Sequence, residues 1–336
     1  MKKSTYRVGI VGATGAVGIE MLRVMERRNF PVSSLKLLAS PRSAGRGMEF
    51  SGREVIVEAL TVESFAGLDI VFFSAGASLS KEFAPVAVNA GAVVVDNSSA
   101  FRAHPDIPLV IPEINGADVK THKGIIANPN CTTAVTLMAL APLHKAFGVK
   151  RVFASSYQSV SGAGARAIEE LRGQARHSVE NRPVEKAVFA HQIVFNVIPH
   201  IDRFEENSYT REEMKMQNEG RRILHLPEFR ASVTCVRVPV YRAHSVAVSA
   251  EFERPVDVWA AREALRAFPG TQVLDDPGAS LYPMPIECAG KDDCFVGRIR
   301  KDCALDNGLA FWVCGDQLLK GAALNAVQIA ELLLDA

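Results

Sequence analysis

The chain has 336 residues, of which 48% are hydrophobic and 22% charged, and 38 basic residues balance 37 acidic ones to a formal net charge of +1. This length favours two domains, and the aliphatic content excludes a mainly disordered chain. The balanced charge gives no electrostatic basis for binding nucleic acid or an anionic membrane. The longest apolar stretch, residues 134–143, is well short of the ~20 residues that a membrane-spanning helix needs.

The cysteines and the N-terminus indicate a reduced, cytoplasmic protein. The six cysteines have neither CxxC pairs nor nearby histidines, so the sequence predicts no metal site and no disulfide scaffold. The apolar part of the N-terminus is broken by glycines, which argues against a signal peptide.

Short β-rich runs alternate with helical stretches in the first 130 residues. Such alternation predicts βαβ units and a mostly parallel sheet. The predicted strands cover residues 6–11, 35–40, 55–59, 69–75, 92–98, 109–112 and 124–128, with a helix over 79–90 among them.

The pattern changes at Cys131, where a long apolar helix is predicted over 131–147. Longer runs that alternate apolar and polar residues then predict an antiparallel sheet with one solvated face. The last 21 residues have helical periodicity. The predicted strands of this second part cover residues 150–160, 232–240 and 245–253.

The glycine-rich segment 12–18 (GATGAVG) directly follows the first strand and opens a helix. Glycines there permit a tight turn and close approach of the backbone to a pyrophosphate, which the helix N-terminus attracts. A site for NAD usually has an acid after the second strand, but here Ser40, Arg42 and Ser43 follow it without one. An arginine and a hydroxyl suit a 2′-phosphate, so we expect NADP; the alternative is a solvated loop arginine.

Cys131 is expected in the first turn of its helix, with Asn130 as the N-cap. The positive end of the helix dipole favours a thiolate there. A thiolate beside a nicotinamide can add to a carbonyl and form an adduct that exchanges hydride with the cofactor. The structural alternative is a small residue that begins a core helix.

These motifs together resemble the bacterial NADP-dependent aspartate-semialdehyde dehydrogenases. The resemblance runs in the family's order over essentially the whole chain. It implies an α/β fold, with an N-terminal Rossmann-type NADP-binding domain (1–130 with 317–336). The α+β catalytic and dimerisation domain (131–316) would resemble the C-terminal domain of glyceraldehyde-phosphate dehydrogenase. The segments that carry the resemblance are 12–18, 40–46 (SPRSAGR), 94–102 (VVDNSSAFR), 128–133 (NPNCTT), 156–164 (SYQSVSGAG), 212–215 (EEMK), 235–245 (CVRVPVYRAHS) and 320–331 (KGAALNAVQIAE).

The activity that the resemblance implies is the reversible, phosphate-dependent interconversion of aspartate semialdehyde and aspartyl phosphate, in a homodimer that serves lysine, threonine and methionine synthesis. Cys131 matches the nucleophile, His244 the acid/base group and Gln158 the residue that positions the substrate. The matching substrate or phosphate ligands are Arg102, Asn130, Glu212, Lys215 and Arg237. The matching cofactor ligands are Gly12, Thr14, Gly15, Ala16, Val17, Ser40, Arg42, Ser43, Ser161, Gly162 and Asn325.

Residues 210–215 distinguish two neighbouring glutamates. Thr210 and Glu213 have the spacing of a helix capping box, so Glu213 has a structural role and Glu212 is free to face the site with Lys215. Gly220 departs from the family pattern and puts the continuity of this helix in doubt.

Three other functions compete with this interpretation. N-acetyl-glutamyl-phosphate reductase uses a related cysteine and histidine, but its substrate has a blocked amine and does not need the Glu212 anion. Glyceraldehyde-phosphate dehydrogenase would have an acid after the second strand. An inactive dinucleotide-binding paralogue would not need Cys131, Gln158, Arg237 and His244 together.

Overall fold

The computed structural model describes residues 3–334. They form two compact units, residues 3–129 with 322–334 and residues 130–321. No helix in this range is long and apolar enough to span a bilayer. The strands are β1 Tyr6–Val11, β2 Val32–Ala39, β3 Gly47–Phe50, β4 Arg53–Ala59, β5 Ile70–Phe73, β6 Val93–Asp96, β7 Ile125–Ala127, β8 Val149–Gln158, β9 Arg230–Arg237, β10 His244–Phe252, β11 Thr271–Val273, β12 Cys294–Lys301 and β13 Gly308–Gly315. The α-helices are α1 Ala16–Arg27, α2 Ala77–Asn89, α3 Pro112–Asn115, α4 Cys131–Phe147, α5 Ala165–Val179, α6 Arg211–Ile223, α7 Val258–Arg266, α8 Pro285–Cys288 and α9 Leu324–Leu334.

The first unit has a sheet in the order β3-β4-β2-β1-β5-β6-β7. Its strands run parallel except for β3, which pairs antiparallel with β4 at the edge. Strand β5 is buried at every residue, as parallel strands covered on both faces are. The α/β class and the parallel sheet expected from the sequence are confirmed.

The chain returns to this first unit through α9, which contacts α1, α3 and β6. The Arg28 guanidinium donates two hydrogen bonds of 2.7 Å to the Glu331 carboxylate and ties α9 to the end of α1. Residues 319–323 form one turn of π-helix, so α9 begins only at Leu324. The expected C-terminal helix is therefore shorter than its periodicity predicted, and residues 335–336 lie outside the described range.

The second unit has a mixed sheet in the order β11-β12-β13-β10-β8-β9. The expectation of an antiparallel sheet holds for β8, β10, β13 and β12, but β9 runs parallel to β8 and β11 parallel to β12. Helix α4 packs against β8, β10, β12 and β13, and against α6 and α7. It is apolar on nearly all sides because it is buried on nearly all sides.

Two local expectations were wrong. Residues 109–112 make only one bridge, from Leu109 to Ala127, because Pro112 has no N–H for a ladder and instead starts α3. Gly220 does not interrupt α6. A Cβ at this glycine would lie 2.8 Å from the Phe229 ring, so the residue permits close packing within a continuous helix.

Candidate active site

Cys131 is the first residue of α4, and Asn130 is its N-cap. The Asn130 Oδ1 accepts hydrogen bonds from the backbone N–H groups of Thr132 (3.0 Å) and Thr133 (3.1 Å). These are the N-cap contacts expected from the sequence. The thiol is half-buried, and the helix dipole at this position favours its thiolate form.

Glu212 connects several of the expected site residues. Its Oε1 accepts hydrogen bonds from Asn130 Nδ2 (3.0 Å) and Gln158 Nε2 (3.1 Å), and its Oε2 lies 2.7 Å from Lys215 Nζ. The pair expected three residues apart on α6 is therefore an ion pair, and its lysine also reaches Asp202 (3.2 Å).

The surroundings of Glu212 keep its carboxylate ionised. Burial by itself raises the pKa of this carboxyl, but the charge of Lys215 and the hydrogen bonds from Lys215, Asn130 and Gln158 outweigh that effect and lower the pKa to about 2. A buried anion is thus available in the site at neutral pH.

The neighbouring Glu213 has the structural role expected of it. The Thr210 Oγ1 accepts from the Glu213 backbone N–H (3.3 Å), and the Glu213 Oε2 accepts from the Thr210 backbone N–H (2.7 Å). This capping box is confirmed. Glu213 also accepts from the Cys235 backbone N–H (2.9 Å), which joins α6 to β9.

Arg237 ends β9 and is buried, with 6% of its surface exposed. Its Nη1 donates to the Ser159 carbonyl (2.7 Å), and its guanidinium lies 5.8 Å from the centre of the Phe189 ring. Neither partner is an anion, although a buried cation requires compensation. The planar donor fork is therefore suited to an anionic ligand.

His244 begins β10 and is completely buried. Its Nδ1 accepts from the Ser159 backbone N–H and also lies 3.1 Å from the Ser159 Oγ. Burial and the Arg237 charge lower the pKa of the imidazole to about 3, so it is neutral at pH 7. Ala243 just before it has a φ of 71°, a strained value for a residue with a Cβ.

Two glycines of the second unit leave room for these groups. A Cβ at Gly162 would lie 3.0 Å from Arg237 Nη1 and 3.2 Å from His244 Nε2. A Cβ at Gly321 would lie 2.8 Å from the Cβ of Cys131. Ser161 is buried beside Gly162, where its Oγ contacts Ser159 Oγ (3.2 Å) and accepts from Gln317 Nε2.

The glycine motif lies between β1 and α1 in the first unit. Gly12 has a φ of 85°, and a Cβ there would lie 2.4 Å from the Ser74 carbonyl oxygen. Gly15 is the N-cap of α1, whose first residues are Ala16 and Val17, and Thr14 precedes it. A Cβ at Gly18 would lie 2.4 Å from the Gly12 carbonyl oxygen, so this glycine permits close packing of helix and strand. The turn fits a dinucleotide pyrophosphate.

Ser40, Arg42 and Ser43 follow β2 in the same unit. Ser40 is the N-cap of a single 3₁₀ turn, Pro41–Ser43, and Arg42 is exposed within it. No acid occupies this turn, so its charge suits a phosphate better than a ribose hydroxyl.

Arg102 and Asn325 also belong to the first unit. Arg102 donates to the carbonyl oxygens of Asn128 (2.8 Å) and Asn97 (2.9 Å). Asn325 donates to the Val110 carbonyl (2.9 Å) and to Asn128 Oδ1 (2.6 Å). Its own Oδ1 is buried without a hydrogen-bond partner among residues 3–334, so it can accept from a bound carboxamide.

Sequence reasoning missed several residues that support this site. Glu219 accepts from the Asn130 backbone N–H (2.7 Å), and Gln317 Oε1 accepts from the Ala243 backbone N–H (2.7 Å). Glu219 follows Glu212 by seven residues, which places both on one face of α6; this spacing was a usable signal. Ser159, Gln317 and Gly321 have no sequence signal of comparable strength.

The arrangement in the second unit suits acyl transfer to a thiol. A thiolate-favouring helix start, an ionised carboxylate, a buried arginine and a neutral imidazole occur together. No cluster of three or more metal-ligating side chains occurs in the described part of the chain.

Comparison with known proteins agrees with this geometry. Family models described as "Semialdehyde dehydrogenase, NAD binding domain" and "Semialdehyde dehydrogenase, dimerisation domain" match residues 7–122 and 140–320. The aspartate-semialdehyde dehydrogenase of Aquifex aeolicus is 54% identical to this chain over 333 residues, and the alignment covers 98% of each protein.

Solved structures give the same result. The crystal structure of aspartate semialdehyde dehydrogenase II of Vibrio cholerae complexed with ASA has a TM-score of 0.97 at 43% identity, over 99% of both chains. The aspartate semialdehyde dehydrogenase of Candida albicans with NADP has a TM-score of 0.76 at 26% identity, over 98% of both chains. Together with the site, these matches show that the chain belongs to the aspartate-semialdehyde dehydrogenase family of oxidoreductases.

Proposed function

We propose that this chain catalyses the NADPH-dependent reductive dephosphorylation of 4-phospho-L-aspartate to L-aspartate 4-semialdehyde, reversibly, through a thioester on Cys131. The observation that carries the proposal is the position of Cys131 at the start of α4, behind an N-cap that is held by the ionised Glu212. The Vibrio cholerae relative is described as a complex with ASA, which supports the substrate class.

The Cys131 thiolate performs the covalent step. It adds to the acyl carbon of the phosphorylated substrate, the carbon–oxygen bond to phosphate breaks, and inorganic phosphate leaves. A nicotinamide cofactor, when bound, would supply the hydride that reduces the thioester carbon. The resulting alkoxide then re-forms a carbonyl, expels the Cys131 thiolate and releases the aldehyde.

Two buried charges of the second unit would recognise the amino-acid part of the substrate. Arg237 is proposed to hold the α-carboxylate with its donor fork, because the groups that its guanidinium contacts directly, the Ser159 carbonyl and the Phe189 ring, are neutral. Glu212 is proposed to bind the α-ammonium group. Gln158 orients the reacting acyl group, and Lys215 and Arg102 supply positive charge for phosphate.

NADP is the proposed cofactor. Arg42 and the hydroxyls of Ser40 and Ser43 follow β2 without an acid, and they suit the 2′-phosphate. Gly12 and the N-terminus of α1 suit the pyrophosphate. The Asn325 Oδ1, which has no hydrogen-bond partner in the described range, suits the amide protons of the nicotinamide. Ser161 and Gly162 are proposed as further cofactor contacts, and a relative from Candida albicans is described with NADP.

The proposed assembly is a homodimer formed through the second unit. The β8 face away from α4 exposes Phe153 (46%) and Tyr157 (37%), and Tyr157 packs against Trp312 of β13 with ring centroids 5.2 Å apart. An aromatic sheet face is typical of a subunit interface. The name of the matching family model, a dimerisation domain, supports this proposal.

The proposed reaction belongs to the synthesis of lysine, through diaminopimelate, and of threonine and methionine. We propose that it takes place in the cytoplasm. All six cysteines are free, as is usual for proteins of a reducing compartment.

A turnover assay tests the proposed function. Purified protein with aspartate semialdehyde, inorganic phosphate and NADP should produce NADPH, and the signal should require phosphate. A Cys131→Ala variant is the matched control and should be inactive. N-acetyl-glutamate semialdehyde should be a poor substrate because it lacks the free ammonium group. Faster turnover of that compound would favour the reductase alternative instead.

A further inference from the structure

We propose that Ser159 is a positioning residue that holds His244 in its Nε2–H tautomer, so that the imidazole acts as a neutral hydrogen-bond donor. The catalytic consequence rests on the proposed function, whereas the tautomer itself is a property of the protein alone. Ser159 connects two expected site residues, since its N–H and Oγ contact His244 and its carbonyl accepts from Arg237.

The tautomer follows from a backbone donor. The Ser159 N–H can only donate, and it points at His244 Nδ1 over 3.1 Å. Nδ1 must therefore be the unprotonated nitrogen of the ring, and the proton lies on Nε2. Nε2 is buried and has no hydrogen-bond partner among residues 3–334, so its N–H is available to a bound group.

A directional chain of hydrogen bonds reinforces this assignment. The Gln317 Oε1 accepts from the Ala243 backbone N–H (2.7 Å), which fixes the orientation of the amide, so that Nε2 donates to Ser161 Oγ. The Ser161 hydroxyl can then donate to Ser159 Oγ (3.2 Å), and the Ser159 hydroxyl to His244 Nδ1 (3.1 Å). All four side chains are buried.

The charged groups around the ring agree with a neutral state. Burial disfavours the imidazolium ion most, and Arg237 on β9 adds to this effect, whereas Glu212 on α6 and a backbone hydrogen bond with Ala243 favour the ion. The net result is a pKa of the imidazole lowered to about 3. A proton on Nδ1 would also face the Ser159 N–H, so the local geometry opposes protonation independently of these charges.

A neutral donor is sufficient for the proposed reaction. The alkoxide that follows hydride transfer collapses by expelling the Cys131 thiolate, and this collapse needs no net proton. A preorganised N–H aimed at the developing negative charge lowers the barrier without the cost of moving a proton. His244 would thus stabilise the oxyanion as imidazole rather than serve as an imidazolium acid.

The direct test is ¹⁵N NMR of the full-length protein labelled at histidine. The His244 signals, assigned by their loss in His244→Asn, should show an unprotonated Nδ1 and a protonated Nε2 from about pH 5.5 to 8. An Nδ1–H tautomer, or an imidazolium that titrates in this range, would overturn the proposal. The measurement needs no substrate, so its outcome is separate from the failure or success of the proposed function.

Kinetics test the hydroxyl. Ser159→Ala should lower kcat about 2-fold to 13-fold, the range for one hydrogen bond, while KM stays the same because the Arg237 contact is to the backbone. Ser159→Thr retains the hydroxyl and should recover kcat. Ser245→Ala removes a buried hydroxyl that points to the opposite face of β10, and it serves as the control. An unchanged kcat in Ser159→Ala, or an equal loss of kcat in Ser245→Ala, would contradict the role of this series of hydrogen bonds.

Discussion

The side-chain amide of Asn130 donates a hydrogen bond to Glu212 over 3.0 Å, so the residue that caps the helix of Cys131 is itself held by α6. Glu219, two turns later on the same face, accepts from the Asn130 backbone N–H over 2.7 Å. Two carboxylates of one helix thereby fix both the side chain and the backbone of the N-cap. The proposed nucleophile is positioned by a helix that is distant in sequence.

Replacing Asn130 separates its two roles. Asn130→Ala should lower the free energy of unfolding by about 1 kcal/mol, because α4 loses its cap. Asn130→Ser retains a capping oxygen but loses the amide donor to Glu212, so it should recover most of this stability. Urea denaturation measures both. An equal loss in the two variants would show that the contact with Glu212, rather than the cap, carries the stability.

Cys131 should be the thiol that reacts fastest with iodoacetamide near neutral pH, because the start of α4 favours its thiolate. Cys235 and Cys314 should react slowly because both are buried; burial also raises the pKa of Cys235, and the Cys288 thiol and burial raise that of Cys314. Cys303 is exposed, so the experiment uses Cys303→Ser as its background. Peptide mapping by mass spectrometry identifies the labelled residue.

Two controls complete the labelling experiment. Aspartate semialdehyde should protect Cys131, and Cys131→Ser should abolish turnover while the protein still binds NADP. Labelling that first appears at Cys235 or Cys314 would contradict the assignment of the nucleophile.

Arg42→Ala should raise the KM for NADP and leave the use of NAD nearly unchanged. The exposed guanidinium follows β2 where a 2′-phosphate would lie, and a hydrogen bond to a charged group contributes about 1.5–3 kcal/mol. The ratio of kcat/KM for the two cofactors is the quantity to measure. Equal losses with NADP and NAD would mean that Arg42 does not contact the phosphate.

Arg237→Lys should lower kcat/KM for aspartate semialdehyde by about one to two decades. Lysine retains the charge but cannot hold a carboxylate with two parallel hydrogen bonds, which costs about 1.5–3 kcal/mol. A substrate analogue without the α-carboxylate should show the same low activity in both proteins. If Arg237→Lys lowered kcat/KM for that analogue by a similar factor, the defect would come from a disturbed site structure instead.

The free energy of unfolding should decrease in two steps as the pH is lowered. His244 stays neutral in the folded state down to a pKa of about 3, whereas the unfolded chain binds this proton below about 6.5. Proton binding therefore stabilises the unfolded state, and the free energy of unfolding decreases as the pH falls below 6.5. Glu212, with a pKa of about 2 against an ordinary 4.5, adds a loss below 4.5. The free energy of unfolding, measured between pH 7 and 4, should decline in the wild type.

His244→Asn is the matched variant for the upper step. Its unfolding free energy should decline less steeply between pH 6.5 and 4.5, by the equivalent of one proton. Parallel profiles for the variant and the wild type would show that His244 takes up its proton equally in the folded and unfolded states.

The sequence by itself determined the features that depend on neighbouring residues. The glycine turn after β1, the start of α4 at Cys131 and the Thr210–Glu213 capping box each need only a few adjacent residues, because turns and helix ends are closed by local hydrogen bonds. The order of these elements was sufficient to predict the parallel sheet of the first unit.

Only the tertiary structure decided how distant residues support the site. Glu219 and Asn130 are 89 positions apart, Ser159 and His244 are 85 apart, and Gln317 follows Ala243 by 74. The parallel pairing of β9 with β8 likewise has no local signal, because apolar alternation records which face is buried and not the direction of the partner strand. Long-range hydrogen bonds, which exist only once the chain is folded, therefore set the tautomer of His244, and those from Asn130 and Gln158 add to the local effect of Lys215 on the charge of Glu212.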